Sequence, residues 1–367
     1  MKNSLTARNG AHDLRITNIL VPIDFSARSI ATIATARYLA QHLGARVHLG
    51  YAQEFTYPAA LMAPGAPVLV APMTDFEKWR KAAEARLRAL AKKHGLTGTC
   101  RAEIGGAAFD TLCWIADQVD ADLLVTSTHG RTGLTRAFLG STAERLVQHS
   151  SCPVYVAREP AKAHSLRLFN TILVPVDFSD CSLAGLDYAI NFAKGFAARL
   201  LVVHVVDLAP LLADTFFPYD RAALAASVLE AAHSGMTRFI RKATFGGVPF
   251  KTLITMDAPV AGICDVARSE NVDLIITATH GRAGLKHVLI GSTAEITVRH
   301  AHCPVLVVPS HPRVRTGSIR KQEAPRKRPV RSVKISAKGL ARKYRQPALS
   351  HAPEHRLTNK FRESHRA

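Results

Sequence analysis

The sequence predicts two tandem, doubly wound α/β domains, each built on a parallel sheet. Two observations carry this. The body of the chain is one unit written twice: Asn18 to Ser26 (NILVPIDFS) returns 153 residues later as Thr171 to Ser179 (TILVPVDFS), and Asp122 to Glu144 returns as Asp273 to Glu295 with 14 of 23 positions identical. Solenoid repeats run to roughly 20–50 residues, so a period of this length is a whole domain. Within each unit, short β-branched apolar runs alternate with helical patterns. Runs apolar on both faces belong in a sheet covered on both sides. Alternating strand and helix makes that sheet parallel and doubly wound.

The second unit reads in order as strand Thr171–Val176, helix Ser179–Phe196, strand Leu200–Val206 and a long helix near 219–244. Strand Pro249–Thr255, helix Pro259–Ser269, strand Val272–Thr277, helix Gly291–His300 and strand Pro304–Val308 complete it. The first unit keeps this order and adds a Pro-rich stretch, Tyr57 to Pro72, before the helix Thr74–His94. The expected domains are 15–158 and 167–310, joined by Arg158 to Arg167, with a basic tail over 311–367.

Composition bounds the classes. The chain has 367 residues, 47% hydrophobic and 21% charged, ordinary for a globular protein of two or three domains. A membrane span needs ~20 nearly continuous apolar residues. The longest candidate, Ala59 to Met73, is broken by Pro64, Gly65, Pro67 and Pro72. Met1 to Arg15 lacks the apolar core of a signal peptide. The six cysteines form neither a CxxC nor a Cys/His ligand spacing, so free thiols in a reducing cytoplasm are expected. The formal charge is +20, and the tail from His311 to Ala367 carries +14 of it, with 17 Lys and Arg against 3 acids. Such a proline-punctuated basic segment cannot bury enough surface to offset its ordering entropy, so disorder is expected there. It reads either as a weak electrostatic tether to nucleic acid or anionic lipid, or as a solubilising tail with no partner.

An open α/β sheet binds ligands outside the carboxyl ends of its strands, where strand order reverses. Three segments per unit bring distinctive residues there. The first is Pro22-Ile23-Asp24, repeated as Pro175-Val176-Asp177. An Asp ending a strand can accept from ribose hydroxyls or an adenine amine. It can equally make an N-cap or Asx turn for the next helix, although Ser26 and Ser179 are also available as caps. The second begins at the strand end Thr126-Ser127, passes through Thr128-His129-Gly130-Arg131, and closes on Gly140-Ser141-Thr142. Its repeat is Thr277-Ala278, then Thr279-His280-Gly281-Arg282, then Gly291-Ser292-Thr293. Glycines let backbone N–H groups approach phosphate, and a helix opening there favours an anion. Capping boxes, Ser141 with Glu144 and Ser292 with Glu295, would account for those residues without a ligand, but not for paired glycines ten residues apart. Arg131 and Arg282 could pair with phosphate; His129 and His280 read as turn or packing residues. The third segment is the end of the second strand, Tyr51-Ala52 and His204-Val205, where Val205 could pack on a flat base.

With these residues the chain resembles the universal stress protein family, and specifically its tandem members. The ILVPxDFS motif, the HGRxGL…GSTAE block and the closing CPV at Cys152 and Cys303 carry the resemblance, twice, over about five-sixths of the chain. It implies a Rossmann/flavodoxin-like five-stranded sheet of order 3-2-1-4-5 in each half. It also implies pairing through the last strand, satisfied internally by Val154–Ala157 beside Val305–Val308 as a pseudo-dimer, with further homodimerisation left open. Many members bind ATP through G-x2-G-x9-G-S/T. Here that pattern gives Gly130, Gly140 and Ser141, then Gly281, Gly291 and Ser292, with Asp24 and Asp177 toward adenosine and Ala52 and Val205 beside the base. The first glycine is replaced by Ser127 and Ala278; if that position needs φ > 0, each costs on the order of 1 kcal/mol. Unit two has Asp257 where unit one has Gly105-Gly106, and an acid facing the pocket would oppose phosphate.

Three functions compete. The first is an ATP-binding regulatory protein of the stress response, non-enzymatic and cytoplasmic, whose nucleotide, with or without Mg²⁺, biases its conformation toward a protein partner. The second is an interaction module with vestigial pockets. The third is a slow ATP hydrolase, for which the sequence offers no P-loop lysine and no compelling metal or nucleophile cluster.

Overall fold

The computed structural model describes residues 16–54, 73–128, 139–158, 169–209, 221–279 and 291–309. The expectations placed on the Pro-rich stretch, on Gly130, Arg131, Gly281 and Arg282, and on the basic tail lie outside these residues. All described elements fall in one compact unit, Met1–Arg315.

The first half runs β1 (Asn18–Pro22), α1 (Ala27–Leu43), β2 (Arg46–Glu54), α2 (Met73–Lys93), β3 (Cys100–Gly105), α3 (Ala108–Gln118), β4 (Leu123–Ser127), α4 (Ser141–His149) and β5 (Val154–Ala157). The second half repeats it as β6 (Thr171–Pro175), α5 (Asp180–Phe196), β7 (Arg199–Val206), α6 (Arg221–Ile240), β8 (Phe250–Met256), α7 (Pro259–Ser269), β9 (Leu274–Ala278), α8 (Ser292–His300) and β10 (Val305–Val308). The strands form a single ten-stranded sheet of order β3-β2-β1-β4-β5-β10-β9-β6-β7-β8. Each half therefore has the order 3-2-1-4-5. All pairs are parallel except the central one, where β10 runs antiparallel to β5 with Val305 opposite Val156 and Val307 opposite Val154.

Alternation along the strands builds two cores. Ile19, Val21, Ile172 and Val174 point into one layer, under α1, α2, α5 and α6. Leu20, Leu173 and Ile275 point into the other, under α3, α4, α7 and α8. These strand residues are almost fully buried, which is why their runs carry no polar alternation. Each cluster contains residues of both halves.

The halves meet differently on the two faces. On one face the junction is aromatic: Phe169 lies 4.9 Å from Phe196, and Phe196 stacks on His42 at 5.3 Å and on Tyr38 at 6.1 Å. On the other it is charged. Arg299 of α8 reaches Glu144 of α4 at 3.0 Å and its own-helix Glu295 at 2.9 Å. Arg158 donates to the carbonyls of Val298 and Arg299 near the end of α8, where a cation is favoured.

Local chemistry sets the helix starts. Ser26 and Ser179 cap α1 and α5, accepting from the N–H of Ser29 and Ser182. At the amino ends of the strands, Asp122 accepts from the N–H of Thr17 and Asn18, and Asp273 does the same for Asn170 and Thr171. The repeated Asp thus fastens the start of each first strand beside the fourth.

Candidate functional site

A cavity of about 380 Å³ opens at the carboxyl ends of β1, β2 and β4. Its counterpart in the second half, about 300 Å³, opens at the ends of β6, β7 and β9. Both have the size of small-molecule sites, roughly 300–1,000 Å³, and both sit where strand order reverses. The first is lined by Pro22, Ile23, Asp24, Ala52, Thr126, Ser127, Gly140, Ser141 and Thr142. The second is lined by Pro175, Val176, Asp177, Val205, Thr277, Ala278, Gly291, Ser292 and Thr293.

The turn after the first strand holds the aspartate by its own backbone. One Asp24 oxygen accepts from the N–H of Ser26 at 2.9 Å, an Asx turn, while Ser26 does the capping. Asp177 accepts from the N–H and hydroxyl of Ser179 and from the hydroxyl of Ser182. Both local roles open to this Asp and Ser are therefore filled, and the Asp remains in the cavity wall.

The turn also requires a left-handed residue, and in both halves it is a phenylalanine. Phe25 has φ 62° and Phe178 has φ 68°, an uncommon conformation for a bulky residue. Packing holds it. Phe25 meets Tyr51 edge-on at 4.9 Å beneath the Arg86 guanidinium, 3.8 Å from the ring centre. Phe178 stacks on His204 at 4.2 Å. A Cβ on Gly235 would come within 2.9 Å of the Phe178 ring, so that glycine makes room for it. Strain of this kind is characteristic of functional turns.

The capping boxes are not formed. The N-cap of α4 is Gly140 and that of α8 is Gly291, and neither helix has a side-chain cap hydrogen bond. Ser141 and Ser292 are already the first helical residues. The Gly140 N–H donates to Thr128 O at 2.7 Å, and the Gly291 N–H to Thr279 O at 2.6 Å. The chain turns at the glycine, one residue earlier than a capping box requires. Glu144 and Glu295 serve Arg299 instead. The first-turn N–H groups of both helices thus meet the cavities without a side-chain cap, as an anion would need.

Ser127 and Ala278 end β4 and β9 and have no positive φ. The backbone cost considered for losing a glycine there does not arise. Asp257, which could have opposed phosphate, is absent from the cavity lining; its carboxylate accepts from the adjacent N–H of Ala258 at 2.7 Å.

Other lining residues escaped the sequence reading. Ser29 and Ser182 lie three residues after the cap in both halves, a repeat that was there to be seen. Leu112 and Ile263 form the wall given by α3 and α7. Gln53 and Glu54 enter the first cavity alone, and nothing in the repeat pointed to them.

Catalytic chemistry finds few candidates. All six cysteines are free thiols. Burial pushes Cys113 up to about 12 and Cys303 up to about 12, so neither supplies a thiolate nucleophile. Among the described residues no group of three or more His, Cys, Asp or Glu is arranged to hold a metal ion. No helix among them is long and apolar enough to cross a membrane.

Comparison with known proteins gives a consistent picture. The Universal stress protein family matches twice, over residues 15–158 and 168–309. A universal stress protein of Methanocaldococcus jannaschii is 35% identical over 143 residues, 38% of this chain and 82% of that protein. One from Mycolicibacterium smegmatis is 25% identical over 299 residues, 79% of this chain and 96% of the relative. The crystal structure of a universal stress protein from Archaeoglobus fulgidus superposes with a TM-score of 0.54 at 20% identity, covering 81% of this chain and 97% of its own.

Proposed function

The chain belongs to the universal stress protein family, and from that premise we propose that it is an adenine-nucleotide-binding regulatory protein of the stress response. It acts in the cytoplasm through nucleotide-biased conformation or partner binding, not as an enzyme. Residues 15–158 and 167–310 are the two binding domains, joined as an internal pseudo-dimer along β5 and β10. The observation that carries the reading is the pair of cavities at the strand-order reversal, each ending on a helix whose N-terminus has no side-chain cap.

The residues fit the ligand. Asp24 and Asp177 would accept from the ribose. Ala52 and Val205 would lie beside the base. Gly140, Ser141 and Thr142, with Gly291, Ser292 and Thr293, would hold the phosphates through the helix N-termini. Gly130, Arg131, Gly281 and Arg282 would complete the phosphate grip. A Mg²⁺ arriving with ATP would draw most of its ligands from phosphate oxygens and water. The basic tail would add weak, salt-sensitive contact to nucleic acid.

The vestigial-pocket reading drew its support from the lost first glycines. Ser127 and Ala278 stand in ordinary strand conformation, which weakens that argument. The test is the double variant Gly140→Glu with Gly291→Glu. Both glycines have negative φ, −61° and −58°, so a side chain is tolerated by the backbone. The double variant is expected to unfold at the wild-type temperature and to give no ATP binding heat in titration calorimetry. Wild-type affinity in a folded double variant would refute this placement of the phosphates.

A further inference from the structure

Resting on the nucleotide reading above, we infer that the two cavities are unequal: the second binds ATP, and the first binds it at least tenfold more weakly because it holds an extra carboxylate. The difference traces to one backbone N–H. Helix α3 starts at Ala108, and the Ala108 N–H donates to Glu54 Oε1 at 2.9 Å. That bond draws the Glu54 side chain into the first cavity, where it forms part of the wall together with Asp24. The counterpart of Ala108 in α7 is Pro259, which has no N–H to donate. The counterpart of Glu54 is Asp207, and its carboxylate turns away to accept from the N–H of Ala209 at 2.9 Å. Asp257 likewise turns to the Ala258 N–H at 2.7 Å. Neither Asp207 nor Asp257 lines the second cavity, whose described wall contains one carboxylate, Asp177.

The apolar residues of the two walls differ in kind. Val205 stands where the first half has Ala52, and the space for it comes from Gly262, whose added Cβ would lie 2.9 Å from Val205. The matching residue in α3 is Thr111. Val203, Val205 and Ile263 line the second cavity, where the first has Tyr51, Ala52 and Leu112, and the apolar surface of the two walls is nearly equal. At the end of the second strand, His204 replaces Tyr51. The His204 Nδ1–H donates to Val176 O at 2.7 Å, which fixes the ring in the wall. A triphosphate carries several negative charges, so the absence of a second carboxylate from its wall favours the second cavity.

The experiment is calorimetric titration of the full chain with ATP, in wild type, Glu54→Gln and Gly291→Glu. Wild type is expected to show one tight site per chain and a second at least tenfold weaker. Glu54→Gln, which removes the charge at the solvent-accessible rim of the first cavity and keeps an acceptor for the Ala108 N–H, should tighten the weak phase several-fold, and Gly291→Glu should remove the tight phase. Ser292→Glu repeats the latter test if Gly291→Glu folds poorly. Two equal sites in wild type, or a tight phase that survives in folded Gly291→Glu, would overturn the inequality while leaving nucleotide binding intact. Absence of any ATP binding would overturn the underlying reading, and this inference with it.

Discussion

At the scale of single residues, the turns around the sheet are held by side chains whose protonation is fixed by their partners. His48 is the clearest. Its Nδ1 accepts from the N–H of Thr99 at 3.0 Å, and its Nε2 faces Asn18 Oδ1 at 3.2 Å. A proton on Nδ1 would break the first bond, and burial, with the charge of Arg46 second, holds the imidazole below its ordinary value of 6.5. Above that pH both folded and unfolded states are neutral. As pH falls below about 6.5 the unfolded chain takes up a proton that the folded chain refuses, so stability declines. Urea midpoints measured from pH 7.5 to 5 should fall, and His48→Gln should fall less steeply; an unchanged slope in the variant would show that His48 is not a source. His94 and His302 shift in the same direction, again through burial, so some slope should remain. Asp24, Gly140, Ser141 and Thr142 with their repeats Asp177, Gly291, Ser292 and Thr293 were legible in the sequence because they are printed twice, whereas Ser29 and Ser182, repeated as well, carry no motif that marks them. Phe25 and Phe178 were printed twice as well, but their positive φ was hidden: phenylalanine carries no sign of left-handed backbone.

At the scale of elements, strand and helix order could be read almost residue by residue. The helix Pro259–Ser269 has the expected ends, and the long helix near 219–244 stops at Ile240. Apolar periodicity locates an element well, while its ends depend on hydrogen bonds that periodicity does not encode. The failed capping boxes are such a case. The spacing from Ser141 to Glu144 suited the motif, but the helix takes Gly140 as its N-cap, with the Gly140 N–H bonded to Thr128 O. Close approach of backbones is similarly invisible beforehand. A Cβ on Gly98 would collide with the Val47 carbonyl of β2, and the clash is with backbone that cannot rotate away. Gly98→Ala should therefore destabilise by about 1–3 kcal/mol, read as a lower denaturant midpoint at unchanged slope. Wild-type stability would show that the segment entering β3 relaxes freely.

At the scale of the whole molecule, two similar halves form one continuous sheet whose junction is not a symmetric copy. Arg299 and Arg158 have Gln148 and Pro309 at the matching positions of the other half. Arg299 ties α4 to α8 by an ion pair, and these are the helices whose first turns face the two cavities. Removing it leaves Glu144 and Glu295 without their shared cation. Because the pair is partly buried, Arg299→Ala should cost on the order of 1–2 kcal/mol, and adding Glu144→Gln should recover part of the loss. A cost that Glu144→Gln leaves unchanged would assign the role of Arg299 to packing alone. The internal pairing of Val154–Ala157 with Val305–Val308 followed from family resemblance; the asymmetric charges around it could be seen only once the helices were in place. The central claim, that this tandem chain is a nucleotide-binding protein, is tested most directly by equilibrium dialysis of the full chain against radiolabelled ATP. The account predicts saturable retention that unlabelled ATP displaces. No retention above a non-binding control protein at millimolar ATP, with or without Mg²⁺, would contradict it.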